Sequence, residues 1–228
     1  PNNIVRTSVN FMGCYAAVHA LKLADAFCRS NDKANIVVVC TEFCTLHFQK
    51  EPSVDNITSS LLFADGCAAI LVQPGNTNHK GFRIENFYSD VSFKGKKDMA
   101  WELSAKGFLM TLTGYVPELI KEDFKGLVDK ALHASGKTAG DISYWCIHPG
   151  GKKILESIAG SLNITENELR FSYDILNHYG NMSSPTILFV LKKIQEEIES
   201  GTADTTPTIF AAAFGPGLTM ETFTATYD

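Results

Sequence analysis

Two apolar runs in this chain break at glycine and pass straight into a helix, and each carries a reactive side chain at the break. Val5 to Met12 runs into Gly13, then Cys14, then a segment whose Ala17, Ala20, Leu21, Ala24, Phe27 and Cys28 recur at helical spacing. Ile142 to Ile147 reads as a strand that ends at His148, is broken by Pro149-Gly150-Gly151, and yields to a helix near Lys152. Strand–turn–helix junctions of this kind are the mark of α/β architecture, where chemistry gathers at the C-terminal ends of strands.

The rest of the chain extends the pattern. Ile36 to Cys40 is a continuous apolar run, as in a buried parallel strand. Leu61 to Val72 contains another strand, interrupted by the turn Ala64-Asp65-Gly66, and Phe82 to Val91 reads as half of a hairpin with a strand nearby. A helix over Pro117–Ser135 places Ile120, Phe124, Leu127 and Ala131 on one face and ends at Gly136. Thr165 and Glu168 form a capping box for a short helix. Ser184 and Pro185 read as the N-cap and first residue of a helix striped by Ile187, Leu191, Ile194 and Ile198, which Gly201 ends.

Three side chains then stand out. Cys14 falls in the first turn of its helix, where unpaired N–H groups and the helix dipole favour an anion and raise the thiolate fraction. An ordinary buried cysteine fits the same local sequence. His148 sits at a strand end, with His178 as its competitor by proximity to Asn181; Asn181 itself fits a plain turn as well. Thiol, imidazole and amide are the parts of an acyl-transfer site, although their spacing alone assigns no activity. A fourth segment, Phe214-Gly215-Pro216-Gly217-Leu218-Thr219, follows an apolar run; its glycines allow backbone to approach a ligand closely.

Composition excludes several classes. A formal net charge of −5 leaves no basic footprint for nucleic acid. No apolar stretch is long enough to span a bilayer, and no signal peptide is visible, although a missing N-terminus would hide one; reduced, buried thiols make a cytoplasmic chain the expectation. The 6 cysteines lie mostly in apolar runs, and Cys40 with Cys44 finds no second pair to complete a zinc site, so reduced thiols and no metal are expected. The charged cluster Lys94–Asp98 reads as a solvated loop, with contact to a substrate phosphate as its other reading.

Gly13-Cys14, Leu62-Phe63-Ala64-Asp65-Gly66, His148-Pro149-Gly150-Gly151, Tyr179-Gly180-Asn181-Met182-Ser183-Ser184 and the Gly-Pro-Gly segment appear together and in order across nearly the whole chain. In this the chain resembles the type III polyketide synthases, the chalcone-synthase-like branch of the thiolase-fold condensing enzymes. Initiating ketoacyl-carrier-protein synthases share Cys, His and Asn, but usually follow the histidine with Gln-Ala-Asn and the asparagine with Thr-Ser. The resemblance implies a layered α/β fold of two similar halves, mixed sheets sandwiched by helices. Residues 1–82 would be the end of the first half and 83–228 the complete second half. Members of the family are considerably longer than 228 residues, so the chain is expected to be the C-terminal portion of a longer protein.

The resemblance also implies Cys14 as acyl-accepting nucleophile, paired as thiolate with a His148 imidazolium, and His148 with Asn181 as the decarboxylation and oxyanion pair. It makes Phe63 the gatekeeping aromatic. Acyl-CoA and malonyl-CoA are the implied substrates, no cofactor is needed, and a homodimer is implied. Aligned on Val116-Pro117, Met110 stands where plant enzymes carry a second gatekeeping Phe, Trp101 where they have Gly, and Cys44 and His47 where they have Thr. Glu42-Phe43-Cys44-Thr45-Leu46-His47-Phe48 is similar to bacterial members that accept fatty acyl starters, which points to an aliphatic starter and a pyrone- or resorcinol-type product; drift away from the reacting centre is the bland alternative. Gly215, Pro216 and Gly217 complete the implied substrate-binding set. A non-catalytic fragment or interaction partner of the same fold is the competing functional class.

Overall fold

The computed structural model describes residues 3–50, 52–75, 79–105, 107–201 and 206–228. A 3₁₀ turn over Gly13–Tyr15 leads into α1 (Ala16–Ser30), followed by β1 (Ile36–Glu42), a 3₁₀ turn at Cys44–His47, α2 (Val54–Leu62) and β2 (Gly66–Val72). Then come β3 (Phe82–Val91), β4 (Met99–Ser104), β5 (Gly107–Leu112), α3 (Val116–Ala134), β6 (Tyr144–Ile147), α4 (Lys152–Leu162), α5 (Arg170–Tyr179), α6 (Thr186–Ser200), β7 (Thr208–Gly215) and β8 (Thr219–Tyr227).

The central sheet has the order β3-β8-β7-β6 and is mixed, with β6 parallel to β7 and the other pairs antiparallel. Parallel β6 and β7 need a crossover, and α4 to α6 supply it. Side chains alternate across a strand, so β7 feeds two cores. Ile209, Ala211 and Ala213 face α1 and α6, whereas Phe210, Ala212 and Phe214 face α3 and α4. Both faces of β7 are therefore buried, which explains its unbroken apolar run. On α3, Ile120, Phe124, Leu127 and Ala131 are all buried, as their spacing requires.

Several local expectations change. Val5 to Met12 forms no strand; its Val5 and Phe11 are exposed. Ile36–Glu42 is a strand, but it pairs antiparallel with β2 rather than lying in a parallel sheet. Val38 and Cys40 are buried while Val37 and Val39 are 63% and 60% exposed, so an apolar run suited to burial on both faces is covered on one. β3 makes no hairpin with its sequence neighbour. It pairs with β8 across the chain, with a bulge between Ile84 and Asn86, and the hairpin nearby is β4–β5. Leu61 to Val72 divides into the last residues of α2 and the strand β2. The Thr165–Glu168 box forms, yet the regular helix starts later, at Arg170. Ser184 does not cap α6, because its hydroxyl donates to Glu42 Oε1 at 2.5 Å. Lys94 is drawn to Asp123 Oδ1 at 3.2 Å and to Glu122, which commits that lysine to the protein surface. No described helix is long and apolar enough to cross a membrane.

Candidate active site

The nucleophile turn is built by close backbone approach. Gly13 adopts φ +74°, and a Cβ there would lie 2.7 Å from Pro216 Cδ. A Cβ on Gly215 would overlap the Tyr15 ring. The glycine of the Gly-Pro-Gly segment that closes β7 thus serves the packing of this loop onto the Cys14 turn, not only the approach of a ligand. Cys14 lies one turn ahead of α1, whose Ala17, Val18, Leu21 and Ala24 are buried while Phe27 is exposed. Its Sγ is 3.9 Å from Asn181 Oδ1.

His148 follows β6 and is 1% exposed. Its backbone N–H donates to Ala212 O at 2.8 Å, and Ser172 Oγ donates to the preceding carbonyl, Ile147 O, at 2.6 Å, so sheet and α5 together fix the strand end. Neither ring nitrogen has a hydrogen-bond partner among the described residues. Buried polar atoms are almost always paired, and an imidazole left so at a cavity wall is equipped to meet an oxygen of a bound molecule. His178, the alternative, is exposed and its Nδ1 is taken by the Asp174 carbonyl at 2.9 Å and carboxylate at 3.1 Å.

Asn181 is held by its backbone against the segment carrying Phe63. Its N–H donates to Leu62 O at 3.0 Å, and Ala64 N–H donates to Asn181 O at 2.9 Å. The side chain is held as well: Oδ1 accepts from Ser183 N–H at 2.9 Å, and Nδ2 donates to Gly150 O at 3.4 Å, in the loop just after His148. The three candidate residues therefore come from three chain regions that hydrogen bonds and packing bring together.

Cys14, His148, Asn181 and Phe63 line one cavity of about 1930 Å³, which continues as a groove along β1. Met110, Trp101, Cys44, His47, Gly215 and Pro216 also line it; Gly217 does not. Trp101 and Met110 face each other across the β4–β5 ribbon, and the Trp101 and His47 rings are 5.2 Å apart. The turn bearing Cys44 and His47 is tied to the Phe63–Gly66 bend, because Thr45 donates its N–H and hydroxyl to the two Asp65 oxygens at 2.9 and 2.7 Å. Those bonds hold the Asp65 carboxyl below its usual range.

Burial acts against the charges of the expected ion pair. Burial pushes the Cys14 thiol up to about 11, with Glu42 adding to the rise and side-chain hydrogen bonds from Ser183 and Asn181 opposing it. Burial pushes His148 down to about 3. Desolvation disfavours the charged form of each group, so burial opposes a thiolate at Cys14 and an imidazolium at His148. Cys44 is likewise raised, to about 12, by burial first and then by Glu42 and Cys14. Reading the sequence for reactive residue types passes over Glu42 and Ser183, both of which line the cavity. Both stand in segments the sequence singles out, Ser183 in Tyr179–Ser184 and Glu42 at the head of Glu42–Phe48, but their residue types gave neither a role in the site.

Comparison with known proteins gives a consistent assignment. The model of the C-terminal domain of chalcone and stilbene synthases matches residues 89–226, and that of 3-oxoacyl-[acyl-carrier-protein] synthase III matches residues 11–90. The alpha-pyrone synthesis polyketide synthase-like protein Pks18 of Mycobacterium tuberculosis is 32% identical over 223 residues, covering 96% of this chain and 56% of that protein. PKS-I of the brown alga Ectocarpus siliculosus superposes with a TM-score of 0.91 at 25% identity, over 99% of this chain and 61% of its own. The C-terminal type III polyketide synthase domain of Steely1 from Dictyostelium superposes with a TM-score of 0.88 at 29% identity, over 100% of this chain and 63% of its own. The architecture is the thiolase-like α/β fold of those structures, and the chain spans little more than half the length of the curated relative.

Proposed function

This chain belongs to the chalcone and stilbene synthase family, and on that premise we propose that the protein containing it condenses an acyl-CoA starter with malonyl-CoA by decarboxylative Claisen chemistry. The observation that carries the proposal is the convergence of Cys14, His148 and Asn181 on one cavity. In the first step neutral His148 takes the Cys14 proton as sulfur attacks the starter thioester. The carbon–sulfur bond to CoA breaks, and the proton leaves with the CoA thiol. In the second, the bond from malonyl-CoA to its carboxylate breaks and carbon dioxide departs. The electron pair becomes an enolate whose oxygen meets the N–H of His148 and Nδ2 of Asn181. Removing one such donor typically costs about 10²–10³ in rate. The enolate carbon then attacks the Cys14 thioester, forming the new carbon–carbon bond, breaking the bond from the acyl carbon to Cys14 Sγ and releasing a Cys14 thiolate, which takes its proton back from solvent. Apart from that proton, these steps call on CoA thioesters and side chains alone.

The apolar Phe63 beside Asn181 suits decarboxylation by keeping water from the departing carbon dioxide. Trp101 and Met110 narrow and line the cavity with apolar surface, which supports an aliphatic starter and a pyrone- or resorcinol-type product. Residues 1–82 and 83–228 serve as the end of one half and the whole of the other, in a homodimer. Intact mass measurement after incubation with a fatty acyl-CoA tests the reading. One acyl group is expected on the protein and none on Cys14→Ala; an unmodified wild type would favour a non-catalytic role for the fold.

A further inference from the structure

The asparagine of a decarboxylation site works only if the right end of its amide faces the substrate. Nδ2 donates and can hold an enolate oxygen; Oδ1 accepts and repels it. Here the choice is made two residues away. The Ser183 backbone N–H, a group that can only donate, points at one end of the Asn181 side chain at 2.9 Å, so that end is Oδ1. Nδ2 is thereby turned toward Gly150 O at 3.4 Å, which leaves its second N–H for an oxygen in the cavity. That N–H lies in the peptide plane between Met182 and Ser183; for it to stay on Asn181 while the chain turns into α6, Ser183 adopts φ 60°, the left-handed conformation that L residues other than asparagine avoid. Strain of this kind persists where the surrounding structure demands it, and active sites are where it collects.

We propose that Ser183 is a positioning residue: its left-handed backbone locks the orientation of the Asn181 amide and so presents the oxyanion donor. The inference rests on the functional reading above for its consequence, while the geometry stands apart from it. Ser183 also offers its hydroxyl to the Cys14 thiol, so the test uses malonyl-CoA decarboxylation, a step that needs Asn181 but no acylation of Cys14.

Three variants separate backbone from hydroxyl. Ser183→Gly loses the hydroxyl and accepts a left-handed φ freely; Ser183→Ala loses the hydroxyl at a backbone cost like that of serine; Ser183→Thr keeps the hydroxyl but is β-branched and resists this conformation. Decarboxylation kcat is expected to be at least about tenfold lower in Ser183→Thr than in either other variant, approaching the about 10²–10³ loss of a missing donor. KM for malonyl-CoA should move less than about threefold, which separates lost orientation from a merely obstructed cavity. Retained kcat in Ser183→Thr with loss in Ser183→Gly and Ser183→Ala would overturn the proposal in favour of the hydroxyl. If wild type releases no carbon dioxide, the functional reading is what fails. The Asn181 side-chain amide resonances in a ¹⁵N–¹H spectrum then decide the geometry. Signals kept in Ser183→Gly and displaced in Ser183→Thr uphold the lock; signals unmoved in Ser183→Thr refute it.

Discussion

Replacing His148 by Gln should make the chain less sensitive to acid, and the size of the effect follows from burial. His148 is 1% exposed and its pKa is pushed from 6.5 down to about 3. The folded imidazole stays neutral while the unfolded one takes a proton below 6.5, so the unfolded state binds more protons between those values. Stability from this group is full above 6.5 and is lost as pH falls toward about 3. At pH 5 the gap from the unfolded pKa is about 1.5 units, and at about 1.4 kcal/mol per unit the loss is about 2 kcal/mol. His148→Gln removes that contribution but leaves every other titrating group in place. Urea unfolding at pH 7.5 and pH 5 is the assay: wild type should lose about 2 kcal/mol more than His148→Gln between the two conditions. Equal losses would mean that the folded ring titrates near its ordinary pKa, and the argument for a dry, neutral imidazole would fall.

Other expectations follow from packing and cavity shape. Gly215→Ala drives a methyl into the Tyr15 ring behind the nucleophile; urea unfolding should show a loss of about 1–3 kcal/mol, as in other overpacked sites, and unchanged stability would mean that the loop yields easily. Trp101→Gly removes the indole that faces His47 and should raise acylation by a planar aromatic CoA ester relative to a fatty acyl-CoA, read by competition and intact mass; an unchanged ratio would remove Trp101 from the specificity pocket. Val5, Phe11, Val37 and Val39 are all at least 60% exposed, and exposed apolar surface of this kind promotes association. Light scattering over a dilution series should show self-association, whereas a stable monomer at every concentration would show that the patch needs no cover.

Local periodicity carried much of this fold. The face of α3 was legible because Ile120, Phe124, Leu127 and Ala131 repeat at the helical period, and the His148 junction because a strand, a Pro-Gly-Gly break and a helix follow one another between Ile142 and Lys152. Pairing between distant strands has no local signature. β3 finds β8 across most of the chain length, and an alternating strand looks the same whether its partner is near or far. Ile36 to Cys40 reads as doubly buried since periodicity reports side-chain character, not what covers it. In the site, residue type pointed to Cys14, His148 and Asn181, but not to the Ser184–Glu42 bond that displaced an expected helix cap. The left-handed backbone of Ser183 is equally silent, for serine gives no warning of positive φ.

The division of labour in the cavity is the central claim, and malonyl-CoA decarboxylation by two variants tests it most directly. Cys14→Ala removes the acyl acceptor and leaves His148 and Asn181 around the thioester oxygen; it should abolish condensation and keep measurable release of carbon dioxide. His148→Ala removes one donor and should cut decarboxylation by about 10²–10³. Equal loss of decarboxylation in the two variants would contradict the assignment of Cys14 as nucleophile and His148 as oxyanion donor.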